Sequence, residues 1–134
     1  IKKGLKLHGK KFDSVIEILS SFGGREMAAI AGSVIAGRVR GIPILLDGFV
    51  STASAATLTI FNKKILEHCL ISHLSSEPGH KGIISKLKKE PLLDLNMRLG
   101  EASGAAVAAL IIKAALVTHN NMSTFSEAGV SKKI

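Results

Sequence analysis

Ile42-Pro43-Ile44-Leu45-Leu46-Asp47-Gly48 is the stretch on which the fold turns. Its Ile and Leu residues run without polar alternation, which predicts a strand covered on both faces, as in a parallel sheet. Pro43 suits the beginning of such a strand. Asp47-Gly48 then falls where the strand ends and the chain turns toward a helix expected from about Ser51 to Phe61. In open parallel sheets ligands bind beyond the carboxyl ends of strands, which makes Asp47 and Gly48 candidates for a site. An Asx turn or helix cap would use the same aspartate equally well.

Upstream, Phe12, Val15, Ile16 and Leu19 fall at helical spacing, and Ser14-x-x-Glu17 has the form of a capping box. Gly23-Gly24 closes that helix, and a second is expected from Arg25 to Arg40 with Gly41 as its stop. Gly32 and Gly37 inside it weaken a helix by about 1 kcal/mol each relative to Ala, so a tight packing partner is expected. Residues 1–11 are basic and without apolar periodicity, and read as a loose lead-in.

Downstream, Cys69–Leu74 reads as a second strand, followed by the turn Ser75–His80. Pro78 is placed to begin a helix carrying Ile83, Ile84 and Leu87. A short apolar run (Leu92, Leu93, Leu95) leads through a polar, glycine-rich bend into an Ala-rich helix over Ala105–Val117, interrupted by Lys113. Asn120-Asn121 ends it, and Thr124–Val130 forms a final turn or short helix. The order predicts an α/β, three-layer domain with a mostly parallel sheet flanked by helices, spanning residues 1–134. Within it, 12–117 is the α/β part and 118–134 a C-terminal helical extension. Two or three covered strands make a small sheet, so partner strands on a missing segment or a second copy are expected: this is a partial domain.

Gly100 and Gly104 bracket Ser103 where the long helix should begin. Bare N–H groups and a hydroxyl at a helix's positive end suit a phosphate or carboxylate. An ordinary Ser-capped helix with closely packing glycines fits the same residues. Glu101 opposes an anion there unless it points away.

The 134 residues are 46% apolar, as expected of one globular domain. With Lys113 interrupting the longest apolar stretch, no uncharged run approaches the ~18 residues that span a bilayer, and no membrane role is expected. No signal segment opens the chain, which begins at Ile1, so a start cut away is expected. Cys69 is the single cysteine and reads as a buried structural thiol in a cytoplasmic protein. The net charge of +8 gathers at the ends, in Lys2, Lys3, Lys6, Lys10, Lys11, Lys132 and Lys133, with five Phe and no Trp or Tyr for stacking, so no nucleic-acid partner is expected. His73 and His80 stand at no zinc spacing and His8, His68 and His119 show no cluster, so no metal site or cofactor is expected.

Arg40–Thr52, Ser76–His80 and Glu90–Ala105, with the tail Thr124–Val130, together resemble the nicotinate-nucleotide–dimethylbenzimidazole phosphoribosyltransferase family, glycosyltransferases of cobalamin assembly. The blocks match in order and separation from about Phe12 to Ser131. The resemblance implies transfer of the phosphoribosyl group of nicotinate mononucleotide to 5,6-dimethylbenzimidazole, giving α-ribazole 5′-phosphate and nicotinate. It also implies a homodimer, and a site at the strand ends completed by the neighbour's small helical domain. Gly100, Ser103 and Gly104 match the segment that binds the substrate phosphate, and Glu127 the glutamate regarded as the catalytic base. Asp47, Gly48 and His80 match positions near the cavity. The family has a longer N-terminal part with further strands and a Gly-rich, glutamate-containing segment, so the resemblance is to its C-terminal portion. A non-catalytic nucleotide- or phosphate-binding fragment is the alternative.

Overall fold

A computed structural model describes residues 2–9 and 12–131. The first of these residues depart from the loose lead-in: Lys2–His8 form a helix, α1, none of whose residues is buried. The Phe22 ring is met edge-on by His8 at 5.6 Å and by Phe12 at 5.3 Å. Lys10, Lys11, Lys132 and Lys133 lie outside the described residues.

Helix α2, Val15–Phe22, opens on Ser14, whose hydroxyl accepts the Glu17 N–H at 3.1 Å. The returning carboxylate of Glu17 takes the N–H of Asp13 rather than of Ser14, at 3.2 Å, so the capping box is displaced by one residue. Helix α3, Arg25–Arg40, stops at Gly41 in the left-handed region (φ 66°). There the N–H groups of Gly41 and Ile42 close back on Arg38 and Gly37, which satisfies the helix's last carbonyls.

Three parallel strands follow in sheet order β1 (Ile44–Leu46), β2 (Cys69–His73) and β3 (Pro91–Leu93). Helix α4, Phe49–Ala56, with a 3₁₀ turn over Thr57–Ile60, links the first pair, and α5, His80–Leu87, links the second. Pro78 sits in the turn ahead of α5 and does not begin it. The run at Leu92 is thus a third strand, its register fixed by Ile71 against Pro91 and His73 against Leu93.

Leu46, Cys69 and Ile71 form the core with Val34 and Ala31 of α3, Ala55 of α4 and Ile84 of α5. Gly37 lets α3 lie against β1: a Cβ there would stand 2.8 Å from the Ile44 side chain. Gly32 meets nothing within 4 Å, so the tight partner expected for both glycines exists for one.

Helix α6, Ser103–Asn121, packs on the strands as the third layer. Its buried residues are Gly104 and Ala108, and Ala108 lies outside the core cluster. Leu70 and Leu92, which point to the face opposite Ile71, stay 41% and 42% exposed. That face is therefore covered only in part, where the uninterrupted Ile/Leu pattern predicted full cover. By length and composition α6 is also apolar enough to cross a membrane, despite Lys113.

Candidate functional site

The carboxyl ends of β1 and β2 open into a cleft of ≈ 380 Å³. Ser72 fixes the two strand ends together, its buried hydroxyl lying 2.8 Å from the Leu46 carbonyl and 2.6 Å from that of Asp47. Beyond them α4 begins at Gly48, a cap with no side chain, so its first residues Phe49, Val50 and Ser51 line the cleft directly. Ile30 of α3 joins Phe49 and Val50 in an apolar wall. The opposite rim comes from the bend before α6, where Arg98 Nε donates to Glu77 Oε1 at 2.9 Å.

That bend is strained. Gly100, Glu101 and Ala102 are successively left-handed, with φ of 79°, 54° and 58°. Non-glycine residues in this region each cost of order 1 kcal/mol and persist where surrounding contacts demand them. The turn aims α6's start at the strand ends, where Asp47 Oδ1 accepts the Ala105 N–H at 2.9 Å. A carboxylate from another element thus already sits at the helix's positive end, a favourable charge–dipole contact. Asp47 is indeed a cap, but of α6, 58 residues on, and not of its local turn.

Of the residues singled out in the sequence, Asp47, Gly48 and Gly100 line the cleft. Gly104 is immediately behind, pressed on the ring of His73 so closely that any Cβ would overlap it. The Ser103 hydroxyl is buried there with no hydrogen-bond partner. Glu101 is among the residues lining the cleft, and it is exposed.

His80 corrects the expectation that it borders the cavity. It is fully buried, its Nδ1 accepting the Ser75 N–H at 2.9 Å and its Nε2 lying 3.0 Å from the Thr52 hydroxyl. Burial, and then the nearby His73, hold its pKa below the ordinary histidine value. It braces the turn after β2 from behind.

Glu127 is not brought to the cleft. It is exposed in the turn after α6, where its carboxylate accepts the N–H and hydroxyl of Thr124 at 2.8 and 2.9 Å. Those two donors hold its carboxyl below the usual carboxylate range. Cys69 is buried, which pushes its thiol pKa up and makes it a poor nucleophile.

His73, Phe49, Glu77 and Arg98 line the cleft without having been marked as site residues. For His73 a signal was available, since it ends β2 as Asp47 follows β1. Nothing in local spacing pairs Arg98 with Glu77, 21 residues apart.

A family model described as phosphoribosyltransferase matches residues 1–130. The chain is 51% identical over 134 residues to the nicotinate-nucleotide–dimethylbenzimidazole phosphoribosyltransferase of Sinorhizobium medicae, covering 100% of this chain and 40% of that one. Its counterpart in Brucella canis is 48% identical over 131 residues, 98% of this chain and 39% of the relative. The crystal structure of the enzyme so named from Thermus thermophilus superposes with a TM-score of 0.81 at 40% identity, over 90% of this chain and 36% of that one. The chain therefore spans about 40% of the length of the curated relatives it matches.

Proposed function

The chain belongs to the nicotinate-nucleotide–dimethylbenzimidazole phosphoribosyltransferase family, and from that premise we propose that it forms part of a phosphoribosyl-transfer site. The reaction moves the phosphoribosyl group of nicotinate mononucleotide to 5,6-dimethylbenzimidazole and yields α-ribazole 5′-phosphate and nicotinate. One observation carries this reading: three separate sequence blocks, at Asp47–Ser51, Ser75–Glu77 and Arg98–Glu101, converge on a single cleft where two helices begin.

The chemistry asks for placement and charge. Nicotinate departs from a pyridinium, leaving oxocarbenium character at the ribosyl carbon, and a benzimidazole nitrogen attacks from the opposite face. The start of α6, with Gly100, Ser103 and Gly104, would hold the phosphate and so keep the ribose in line. The carboxylates of Asp47, Glu77 and Glu101 suit the cation that develops nearby. A base must take the proton on the acceptor's other ring nitrogen, the one that does not attack. We assign that role to Glu127 of a neighbouring copy in a homodimer, because within one chain it stands outside the cleft lining.

Glu127→Gln in the dimeric enzyme should lower kcat by about 10²–10⁴ and leave the affinity for nicotinate mononucleotide nearly unchanged. Ser103→Ala should weaken that affinity by about 1.5–3 kcal/mol, the range for a hydrogen bond to a charged group. Wild-type turnover by the Gln variant over about pH 6 to 9 would remove Glu127 from the mechanism. The exposed position of Glu127 favours one other reading, a phosphate-binding portion without its own chemistry. Nucleotide binding without turnover in every oligomeric state of the protein would select it.

A further inference from the structure

Among the described residues that line the cleft are three acidic ones (Asp47, Glu77, Glu101) and one arginine, Arg98. Arg98 is engaged with Glu77 through its Nε. The first turn of α6 is engaged too, by Asp47 at the Ala105 N–H. A phosphate dianion placed at Gly100–Ser103 would share that helix end with a fixed carboxylate, and like charges a few ångströms apart oppose each other strongly in a partly buried site. Something must supply compensating charge. The remaining lining residue able to become a cation is His73.

Its setting fits. The ring is 2% exposed and held between the starts of two helices. A Cβ on Gly48 would stand 3.2 Å from Nε2, and one on Gly104 would overlap the ring. Nε2 lies 4.0 Å from Asp47 Oδ1, the same oxygen that caps α6. His73 Nδ1 and Ser103 Oγ are both buried without a hydrogen-bond partner. Unpartnered buried polar atoms are few in native proteins, and the Ser103 hydroxyl at the start of α6, beside a His73 ring that has no hydrogen bond at Nδ1, points to a ligand that completes it.

We propose that His73 is the proton-coupled cation of this site: a phosphate monoester at the start of α6 binds together with a proton on the His73 imidazole. The imidazolium then offsets Asp47 and the phosphate at once. The inference rests on the reading that puts the substrate phosphate at Gly100–Gly104. The charged groups around His73 are consistent with it. Asp47 favours the imidazolium from the end of β1, while Glu77, Arg98 and Glu101 lie on the rim. His80 of α5, with ring centroids 6.4 Å apart, would oppose it only if charged. Its Nδ1 accepts the Ser75 N–H, which leaves its proton on Nε2 toward Thr52 and the ring neutral.

Binding linkage makes the coupling reciprocal: the anion must raise the proton affinity of His73 by the factor by which the proton strengthens anion binding. The test uses sulfate, which does not titrate near neutrality, and nicotinate mononucleotide. Imidazole NMR resonances of the wild-type protein follow His73, and calorimetry in two buffers of different ionisation enthalpy follows proton uptake. Either anion should move the His73 titration to higher pH. Sulfate affinity should fall by up to about tenfold per pH unit above the His73 midpoint, with protons taken up on binding. His73→Gln should flatten that profile and abolish the uptake. If Ser103→Ala weakens both anions but the His73 titration does not move, this proposal fails and the phosphate site stands. If neither anion binds, or Ser103→Ala changes nothing, the phosphate site fails and takes the proposal with it.

Discussion

The two ends of α6 are governed by different physics. At its start Gly104 and Ala108 are buried, Asp47 holds the Ala105 N–H, and the His73 ring fills the space a larger residue would need. Past Lys113, Leu116 and Val117 are each 55% exposed, and beyond the helix Met122 reaches 72% and Phe125 77%. The first half is placed by contacts that this chain makes with itself. The second, Ala114–Asn121, has no buried residue and little tertiary packing to support it. A run of large apolar side chains on one exposed arm is the usual mark of a surface that another element covers. Glu127 lies beyond that arm, so the near end shapes the cleft and the far end carries the residue proposed to act in a neighbour's.

The sharpest way to break this contrast is to overfill the near end. Gly104→Val pushes a branched side chain into the His73 ring, with backbone pinned on both sides, and should cost near the top of the ~1–3 kcal/mol range for overpacking. Ala114→Val on the far half should cost no more than about 0.7 kcal/mol of helix propensity. Denaturant midpoints for the two variants check the difference, and equal midpoints would mean that the near end is not docked as described.

A smaller effect is expected from removing the cap. Asp47→Ala frees the Ala105 N–H and should cost about 0.5–2 kcal/mol, the range for a lost helix cap. Hydrogen exchange should quicken at Ala105 and leave amides past Lys113 unchanged. Exchange that rises evenly along α6 would show that the helix responds as one unit, against the division drawn here.

The smallest stability change belongs to the far end. Leu116→Gln with Val117→Gln should alter unfolding free energy by less than about 0.5 kcal/mol per site, as at exposed positions generally. Sedimentation should nevertheless show weaker self-association if a second copy covers this arm. An unchanged association constant would assign the arm to some other cover.

Much of the framework was legible because its signals are local. Helix α3 runs between the limits its glycines set, since Gly41 adopts the left-handed conformation that Gly takes at least cost. The strands at Ile44 and Cys69 announced themselves as apolar runs bounded by turn residues. Pro91–Leu93 is too short for periodicity to distinguish a strand from a loop, and its pairing with β2 decides the matter. Within the site, sequence marked Asp47 and Gly48 by their place after a strand and Gly100–Gly104 by their place before a helix. Only the tertiary structure could join them, because a carboxylate caps whichever N–H the fold brings to it, and here that N–H belongs to Ala105. The same reason removed His80 from the cavity: its two ring nitrogens found Ser75 and Thr52, partners from different elements, and a histidine so satisfied packs behind the wall. Sequence alone determined which segments could be helix, strand and turn, since these follow from backbone preference and side-chain period. Which charges meet across the cleft was settled by packing, since that depends on distances that no local pattern encodes.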